Sequence, residues 1–321
     1  MPASSESRII FPLSRNLSWN FTGQILAKFS LLLFHILFAN LVGVKGYGEF
    51  SFVFVAGVII LQPSLDMGLN QLITKWISRG NADVIRNSFQ IKSRVSVVLL
   101  PLVILLGWWH EIHPILLGSI LIYFLINTIQ QSLFGILRGL EDLRPESITV
   151  AFQNLLALAI LWIFVNHEIN EAWVGSLVLM LTRCAGTILV TGIIWKKYLL
   201  KLNNYEHSKT LQSTSNLWQE AFTLGLVLFL IQFYFRIDTI MLGLLSSKTE
   251  VGLYSVAFNL MEGTFFIPSI VMAAIFPGLS QTKKFLNYFR KGLLMLSLTG
   301  IAVGGSVFLF AEIIIQMFFS E

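Results

Sequence analysis

Long apolar segments alternate with short polar segments along most of this chain. Each apolar segment can cross the roughly 30 Å hydrocarbon core of a bilayer as a helix, with some tilt. We therefore predict an all-α fold with about nine transmembrane helices. The apolar segments lie at about 18–42, 49–72, 95–109, 115–137, 147–165, 172–195, 218–244, 251–277 and 292–319.

The composition excludes an ordinary soluble protein. Of the 321 residues, 55% are hydrophobic and 12% are charged, whereas about a quarter of the residues in globular chains are charged. The single cysteine, Cys184, lies inside an apolar segment, which excludes an intramolecular disulfide and a Cys-rich metal site. The sequence has no Walker motif and no nucleophile elbow. We predict no metal, no cofactor and no enzymatic activity.

The basic residues predict the orientation of the chain in the membrane. A net charge of +5 would suggest nucleic acid in a soluble protein, but here the charge is unevenly divided between the two sets of loops. Seventeen of the 22 Lys and Arg residues, Lys92 among them, fall in loops on the side of the N-terminus, and two, Lys45 and Lys248, fall on the other. Basic loops face the cytoplasm. We predict a multi-pass protein of a bacterial cytoplasmic membrane with its N-terminus inside, and no nucleic-acid partner.

An internal repeat divides the chain. GEFSFVF at Gly48 aligns with GLYSVAF at Gly252, at an offset of 204 residues and with three identities. The pattern predicts that the second span corresponds to the eighth and that the two units run in parallel. We predict an N-terminal lobe of six helices at 1–208 and part of a second lobe, with three helices, at 209–321.

Several short motifs resemble one family of membrane transporters. RIDTIMLGLLSSKTEVGLYSVA at 236–257 is similar to the signature region of polysaccharide flippases in the multidrug/oligosaccharidyl-lipid/polysaccharide exporter superfamily, through Arg236, Asp238, Gly243, Gly252, Tyr254 and Ala257. GYGEFSF at 46–52, LDMGLNQ at 65–71 and RGLED at 138–142 also resemble that family. The resemblance covers nearly the whole chain.

The resemblance implies a fold and a substrate class. It implies a MATE-like architecture of two six-helix lobes around a central cavity, of which this chain would hold one lobe and half of the other. It also implies a secondary transporter that flips polyprenyl-pyrophosphate-linked oligosaccharide across the cytoplasmic membrane by alternating access. Such a carrier serves the assembly of cell-surface polysaccharide, for example the O-antigen of lipopolysaccharide. The expected partners are the lipid-linked oligosaccharide, a coupling ion and membrane lipid.

Polar residues within the apolar segments are the candidate binding residues. A charged side chain at the centre of a transmembrane helix costs about 2.5–3.5 kcal/mol, so each one indicates a function. Positions 20, 24, 28 and 35 fall within about 80° on the first helix and form one polar stripe. An arginine fork suits the oxygens of a pyrophosphate, and amides suit sugar hydroxyls. The predicted substrate-binding residues are Asn20, Gln24, Lys28, His35, Arg183, Gln232, Arg236 and Asn259.

Intramembrane carboxylates are candidates for binding a coupling ion, because a buried carboxylate can carry a proton or bind Na⁺. The candidates are Asp66, Asp238 and Glu262. Each of them could instead form an ion pair with one of the cations. Asp238 lies about 200° around the helix from Arg236, so these two residues are not expected to pair with each other.

Three other functions compete with the flippase. A multidrug exporter of the same superfamily would need an acidic, aromatic cavity for cationic drugs, and three intramembrane cations oppose it. A polysaccharide polymerase or glycosyltransferase would need a large extramembrane loop with paired carboxylates, and the predicted loops are short. A scaffold subunit without transport activity is the third alternative.

Overall fold

The computed structural model describes residues 13–167, 169–203, 214–264 and 285–318. Within these ranges every regular element is a helix. The boundary predicted between the two lobes, at 208/209, lies outside the described residues. The helices are α1 (Leu13–Asp66), α2 (Leu69–Ser78), α3 (Asp83–Trp109), α4 (Pro114–Gly139), α5 (Arg144–Asn166), α6 (Trp173–Asn203), α7 (Thr214–Leu245), α8 (Lys248–Thr264) and α9 (Phe285–Phe318).

Within the described residues the predicted apolar segments lie on helices, and the first two begin on the two arms of α1. The second segment is interrupted between Asp66 and Leu69, and positions 265–277 of the eighth lie outside the described residues. We predicted a short outer loop at 43–48. Instead, α1 consists of two helical arms that meet at a kink at Gly43, where the backbone is not helical (φ 71°, ψ 170°). Because glycine lacks a Cβ, it adopts this left-handed backbone at low cost. Six helices in the described ranges are long and apolar enough to cross a membrane, and α1 is one of them. The number of nine spans therefore stays a prediction.

An aromatic cluster fills the space between the two arms of α1 and helix α4. Phe38 packs edge to face on Phe50, with their ring centroids 5.1 Å apart. Phe54 continues the cluster to Tyr123 and Phe124 at 5.5 and 5.6 Å. Rings in such tilted and edge-on arrangements stabilise a core beyond the area that they bury. The cluster holds α1 and α4 in a fixed rotation, which determines the residues that each helix turns toward the cavities.

The repeated glycines meet where α1 crosses α8. A Cβ built on Gly48 would lie 1.8 Å from the carbonyl oxygen of Lys248, and one on Gly252 would lie 2.0 Å from that of Val44. Val44 and Lys248 are also 204 residues apart, so the two contacts are equivalent under the repeat. The crossing is therefore reciprocal, as in an interface with two-fold symmetry. Two backbones this close leave no room for a side chain at either glycine.

A buried carboxylate joins the C-terminal ends of α4 and α6. Asp142 lies between α4 and α5, outside the spanning helices, and accepts hydrogen bonds from Lys197 Nζ at 2.8 Å and from the Tyr198 hydroxyl. The backbone N–H of Arg144 donates to its other oxygen at 3.2 Å. Burial of the carboxyl opposes its ionisation, but the hydrogen bonds from Lys197 and Tyr198 outweigh burial and hold the pKa of Asp142 below its ordinary value.

This pKa predicts how the stability of the protein depends on pH. We expect Asp142→Asn to lower the free energy of unfolding by about 1–3 kcal/mol at pH 7, because charge-assisted hydrogen bonds are lost. An Asp with a lowered folded pKa stabilises the fold above its unfolded pKa of about 3.9, and this contribution disappears as the pH falls through the folded pKa. The melting temperatures of wild type and variant should therefore converge as the pH falls from about 5 through the lowered pKa of Asp142. The exposed Glu171→Gln variant is the control, and a pH-independent difference would contradict the prediction.

Candidate functional site

One cavity of about 400 Å³ brings together five of the predicted binding residues. It lies between α1, α4, α5, α6, α7 and α8, and we call it the cationic cavity. All three predicted intramembrane cations face it, from three different helices. The predicted residues that line it are Lys28, His35, Arg183, Arg236 and Asn259.

Neutral acceptors hold Arg183 in place. Its guanidinium donates from Nη1 to Gln130 Oε1 and from Nη2 to the Tyr123 hydroxyl, each at 2.8 Å. Neither partner carries a negative charge, and within the described residues Arg183 forms no ion pair. The side chain is therefore fixed in orientation while its charge is not neutralised by them.

Lys28 is the second cation without an acidic partner among the described residues. It is half-buried in the first arm of α1, beside Ala27, whose carbonyl accepts a hydrogen bond from Asn154 Nδ2 at 2.7 Å. In the described part of the chain no carboxylate lies within salt-bridge distance of its ammonium. Lys28 and Arg183 together give the cavity two positive charges that no described carboxylate balances.

Arg236 is arranged differently, because it has an acidic partner. Its Nη2 lies 2.5 Å from Glu262 Oε2 of α8, and its guanidinium stands 4.5 Å from the centre of the Phe258 ring. An ion pair between Arg236 and an acid was one of the two roles left open by the sequence. The structure shows that Arg236 has both roles, because it pairs with Glu262 and also lines the cationic cavity.

A hydrogen-bonded chain joins His35 to Asn259. Asn259 Nδ2 donates to the Tyr47 hydroxyl at 2.7 Å, and that hydroxyl lies 2.9 Å from His35 Nδ1. An amide nitrogen is only a donor, so the Tyr47 oxygen accepts from Asn259 and its hydrogen is free for His35. The chain crosses from α8 to α1 and positions His35 at the cavity wall.

Two buried polar side chains of the cationic cavity were not among the predicted substrate-binding residues. Gln153 of α5 is buried against Gly186 of α6, and neither of its amide atoms has a hydrogen-bond partner within the described residues. The Ser255 hydroxyl is also buried and unsatisfied there. Unsatisfied buried polar groups are costly, so both indicate a polar ligand. The signal was available, because each is a polar residue in an apolar helix.

The remaining predicted residues lie elsewhere. Asp66 and Gln232 line a second cavity of about 200 Å³. Asp238 accepts a hydrogen bond from the Tyr254 hydroxyl, which ties α7 to α8. Asn20 and Gln24 belong to the first turns of α1, whose side chains lie outside the described residues.

Asp66 is part of a buried network around Lys92. The ammonium of Lys92 donates to Asn70 Oδ1 at 2.8 Å and to Ser132 Oγ at 2.7 Å, and it lies 3.6 Å from Asp66 Oδ1. Thr128 supplies two further oxygens at 3.2 Å. The placement of Lys92 in a cytoplasmic loop was wrong, because this residue lies inside α3, which begins at Asp83, about three turns before the apolar segment.

Removal of the Lys92 ammonium should destabilise the protein. Lys92→Met leaves the charge of Asp66 unpaired, and breaking a buried ion pair in this way costs about 3–5 kcal/mol. We expect little folded protein, measured as the monodisperse fraction after extraction in mild detergent. The double variant Lys92→Met/Asp66→Asn should recover part of that fraction, because the stranded charge is gone. Equal yields of Lys92→Met and wild type would contradict this prediction.

Comparisons with known proteins agree on the fold. A family model described as "Polysaccharide biosynthesis protein" matches residues 13–283, and a search of curated protein sequences finds no match. A solved structure of the MATE multidrug transporter DinF-BH, in complex with a ligand, shares 17% identity, with a TM-score of 0.63 over 100% of this chain and 78% of that one. A chain described as "protein A" shares 16% identity, with a TM-score of 0.61 over 99% and 77%. The predicted all-α, MATE-like membrane fold is confirmed.

Proposed function

This chain belongs to the polysaccharide biosynthesis protein family, as predicted from its motifs, and given that membership we propose that it is a secondary transporter of lipid-linked sugar. It would flip a polyprenyl-pyrophosphate-linked oligosaccharide from the cytoplasmic to the outer leaflet by alternating access. The proposed cargo has an anionic pyrophosphate, a polar glycan and an apolar tail, and the binding residues must recognise the first two within the membrane.

The unbalanced charge of the cationic cavity carries this proposal. Lys28 and Arg183 face one cavity without acidic partners in the described ranges, and a pyrophosphate diester carries two negative charges. Moving those charges through an apolar slab without partners would cost many kcal/mol. Two fixed cations would offset that cost. The unsatisfied Gln153 and Ser255 would donate or accept hydrogen bonds from the same ligand.

The ion pair between Arg236 and Glu262 suggests how transport could be coupled to an ion. A pyrophosphate that takes the Arg236 guanidinium would release the Glu262 carboxylate, which could then bind a proton or Na⁺. The cargo and Glu262 would therefore compete for one cation. Asp238 and Asp66 remain further candidates for binding the coupling ion. Asp238 accepts a hydrogen bond from Tyr254, and Asp66 pairs with Lys92.

A multidrug exporter is the second candidate, because a solved structure with this fold is described as a multidrug transporter. The charges of the cavity distinguish the two candidates. A cationic drug would need free carboxylates, whereas Glu146, the acid that lines the cationic cavity, is engaged by Arg138 through hydrogen bonds of 2.5 and 2.9 Å. We therefore favour an anionic cargo.

Reconstitution tests the proposed function. The purified protein is placed in vesicles that carry a fluorescent polyprenyl-pyrophosphate oligosaccharide in the outer leaflet, and loss of accessibility to an added lectin is followed. We expect protein-dependent translocation, with vesicles containing the Lys28→Gln/Arg183→Gln variant as the control. Translocation at the rate of empty vesicles, together with export of a cationic dye, would instead support the multidrug alternative.

The proposed orientation, with the N-terminus in the cytoplasm of a bacterium, has a separate test. In a Cys184→Ala background, Ser78→Cys should be protected from an impermeant thiol reagent in intact cells, because Ser78 ends α2 on the predicted inner side. Glu171→Cys, just before α6, should be labelled. Both positions are exposed, so both should react after permeabilisation. The reverse pattern in intact cells would overturn the topology.

A further inference from the structure

A second polar cavity, of about 200 Å³, lies beside the cationic one. It is enclosed by the end of α1, the start of α2, and helices α4 and α7. Besides Asn70, which accepts a hydrogen bond from Lys92, four buried or half-buried amide side chains line it, and we call it the amide cavity. These amides belong to Gln62, Asn127, Gln131 and Gln232.

The four amides are available to a ligand. Asn127 is buried and the other three are half-buried, yet none of them hydrogen-bonds to another described residue. The neighbouring buried network does not use them, because Lys92 satisfies Asn70, Thr128 and Ser132 instead. Each free amide presents two donors and one acceptor. A ligand that matches four such groups must offer many hydroxyl groups and needs no charge.

Helix α4 forms the wall between the two cavities. Tyr123 and Gln130 are seven residues apart, about two turns of helix, so they share one face of α4. Phe124 and Gln131 share the adjacent face for the same reason. Tyr123 and Gln130 hold Arg183 on the cationic side. Phe124 and Gln131 line the amide cavity. The same two turns of helix therefore place an anion site and an amide site side by side.

An ion pair bridges the rims of the cavities. Arg138 lines the amide cavity, Glu146 lines the cationic cavity, and the two side chains form a bidentate pair. This pair neutralises the arginine at the rim of the amide cavity. Asp66, which also lines the amide cavity, is paired with Lys92. The amides thus remain the principal recognition groups there.

We propose that the amide cavity is the binding site for a neutral sugar residue next to the pyrophosphate of the cargo. The proposal rests on the proposed function, since the cationic cavity would hold the pyrophosphate. The volume corresponds to about six or seven waters, which is the scale of one sugar residue rather than of an oligosaccharide. The amides bind its hydroxyls, and the buried Phe124 ring offers an apolar wall to the face of the sugar ring.

The position of Gln232 adds a mechanism for release. Gln232 belongs to α7, whereas Gln62, Asn127 and Gln131 belong to α1 and α4 in the first six-helix unit. Movement of one lobe against the other would separate Gln232 from the other three amides. The sugar site would therefore be complete in one conformation and divided in the next.

Two probes that differ in one sugar test this site. The full chain in lipid nanodiscs is titrated with a short-chain prenyl pyrophosphate, and with the same molecule carrying one neutral hexose on its terminal phosphate. Each neutral hydrogen bond changes affinity by about twofold to tenfold. We expect the wild type to bind the glycosylated probe at least about tenfold more tightly. Asn127→Leu/Gln131→Met, which removes two amides at similar volume, should bind both probes with the wild-type affinity for the bare one.

The control separates this proposal from the proposed function. Arg183→Gln should weaken the binding of both probes and should still bind the glycosylated probe more tightly than the bare one. Equal binding of the two probes by the wild type, or an unchanged preference in the double variant, would refute the proposed sugar site. Either result would leave the proposed pyrophosphate site unaffected. Failure of the wild type to bind either probe would overturn both.

Chemical protection provides a measurement that does not depend on the stability of the double variant. Gln131→Cys is introduced with Cys184→Ala, and the rate of modification by a small thiol reagent is followed. The glycosylated probe should slow modification severalfold and the bare probe should not. Equal rates with both probes would count against a sugar at Gln131.

Discussion

Joint replacement of Lys28 and Arg183 by glutamine is expected to abolish flipping while the protein still inserts and folds. Each charge-assisted contact to the pyrophosphate contributes about 1.5–3 kcal/mol, so the pair accounts for about a hundredfold or more in affinity. Neither cation has an acidic partner among the described residues, so neither replacement strands a described carboxylate. Removing a cation from a transmembrane helix also makes insertion more favourable. Flipping in vesicles and protein abundance by blot are the two measurements.

Three further single variants help to interpret that result. Lys45→Gln removes an exposed cation at the bend of α1 and should leave flipping unchanged. Arg236→Ala strands the Glu262 carboxylate, so it should reduce abundance as well as activity. Arg236→Lys should restore the ion pair but only part of the flipping, since a point charge replaces the fork. Normal flipping by the double glutamine variant would refute the cationic mechanism, and its disappearance from the membrane would assign Lys28 and Arg183 a structural role.

Substitution at the glycine crossing is expected to have the largest effect on stability. Gly48→Leu would place a side chain where a Cβ alone lies 1.8 Å from the Lys248 carbonyl oxygen. The obstacle is backbone, so no rotamer change can relieve it, and α1 and α8 must separate. Overpacking costs about 1–3 kcal/mol where side chains can adjust, and this site should exceed that range. Gly252→Leu should be equally damaging, because its contact with Val44 is the reciprocal one.

A glycine in open surroundings supplies the control for these two variants. Gly192 lies in α6, and no atom lies within 4 Å of the position that a Cβ would take there. Gly192→Leu should be tolerated or slightly stabilising, because leucine favours a helix. Thermal stability in detergent and the monodisperse fraction are compared across the three variants. Equal stability of all three would show that the crossing is not required.

The family motifs were recognisable in the sequence, but their physical roles were not. Asp238 and Tyr254 of the 236–257 segment hydrogen-bond to each other across α7 and α8. Gly243 of the same segment makes room for the Phe52 ring of α1. Asp142 of RGLED joins α4 to α6. The motifs therefore mark contacts between helices, which depend on pairs of residues that are distant in the chain.

Lys92 shows why a charge count along the chain can misplace a residue. The apolar segment begins after it, so hydropathy assigns Lys92 to the adjacent polar loop. Its stability within α3 comes from oxygens on α1, α2 and α4, supplied by Asp66, Asn70, Thr128 and Ser132. Those partners compensate the desolvation of the ammonium. None of them is near Lys92 in sequence.

The membrane class, the apolar helices, the family and the identity of the three intramembrane cations could all be derived from the sequence. These follow from transfer free energies and motifs, which are properties of single segments. The three-dimensional packing was needed to learn that Lys28, Arg183 and Arg236 share one cavity, that Arg236 is paired with Glu262, and that Gln232 faces a separate amide cavity. The rotation of each helix about its axis selects the side chains that meet. That rotation is set by contacts between helices, such as the aromatic cluster around Phe50 and the glycine crossing, and not by the hydropathy of any one segment.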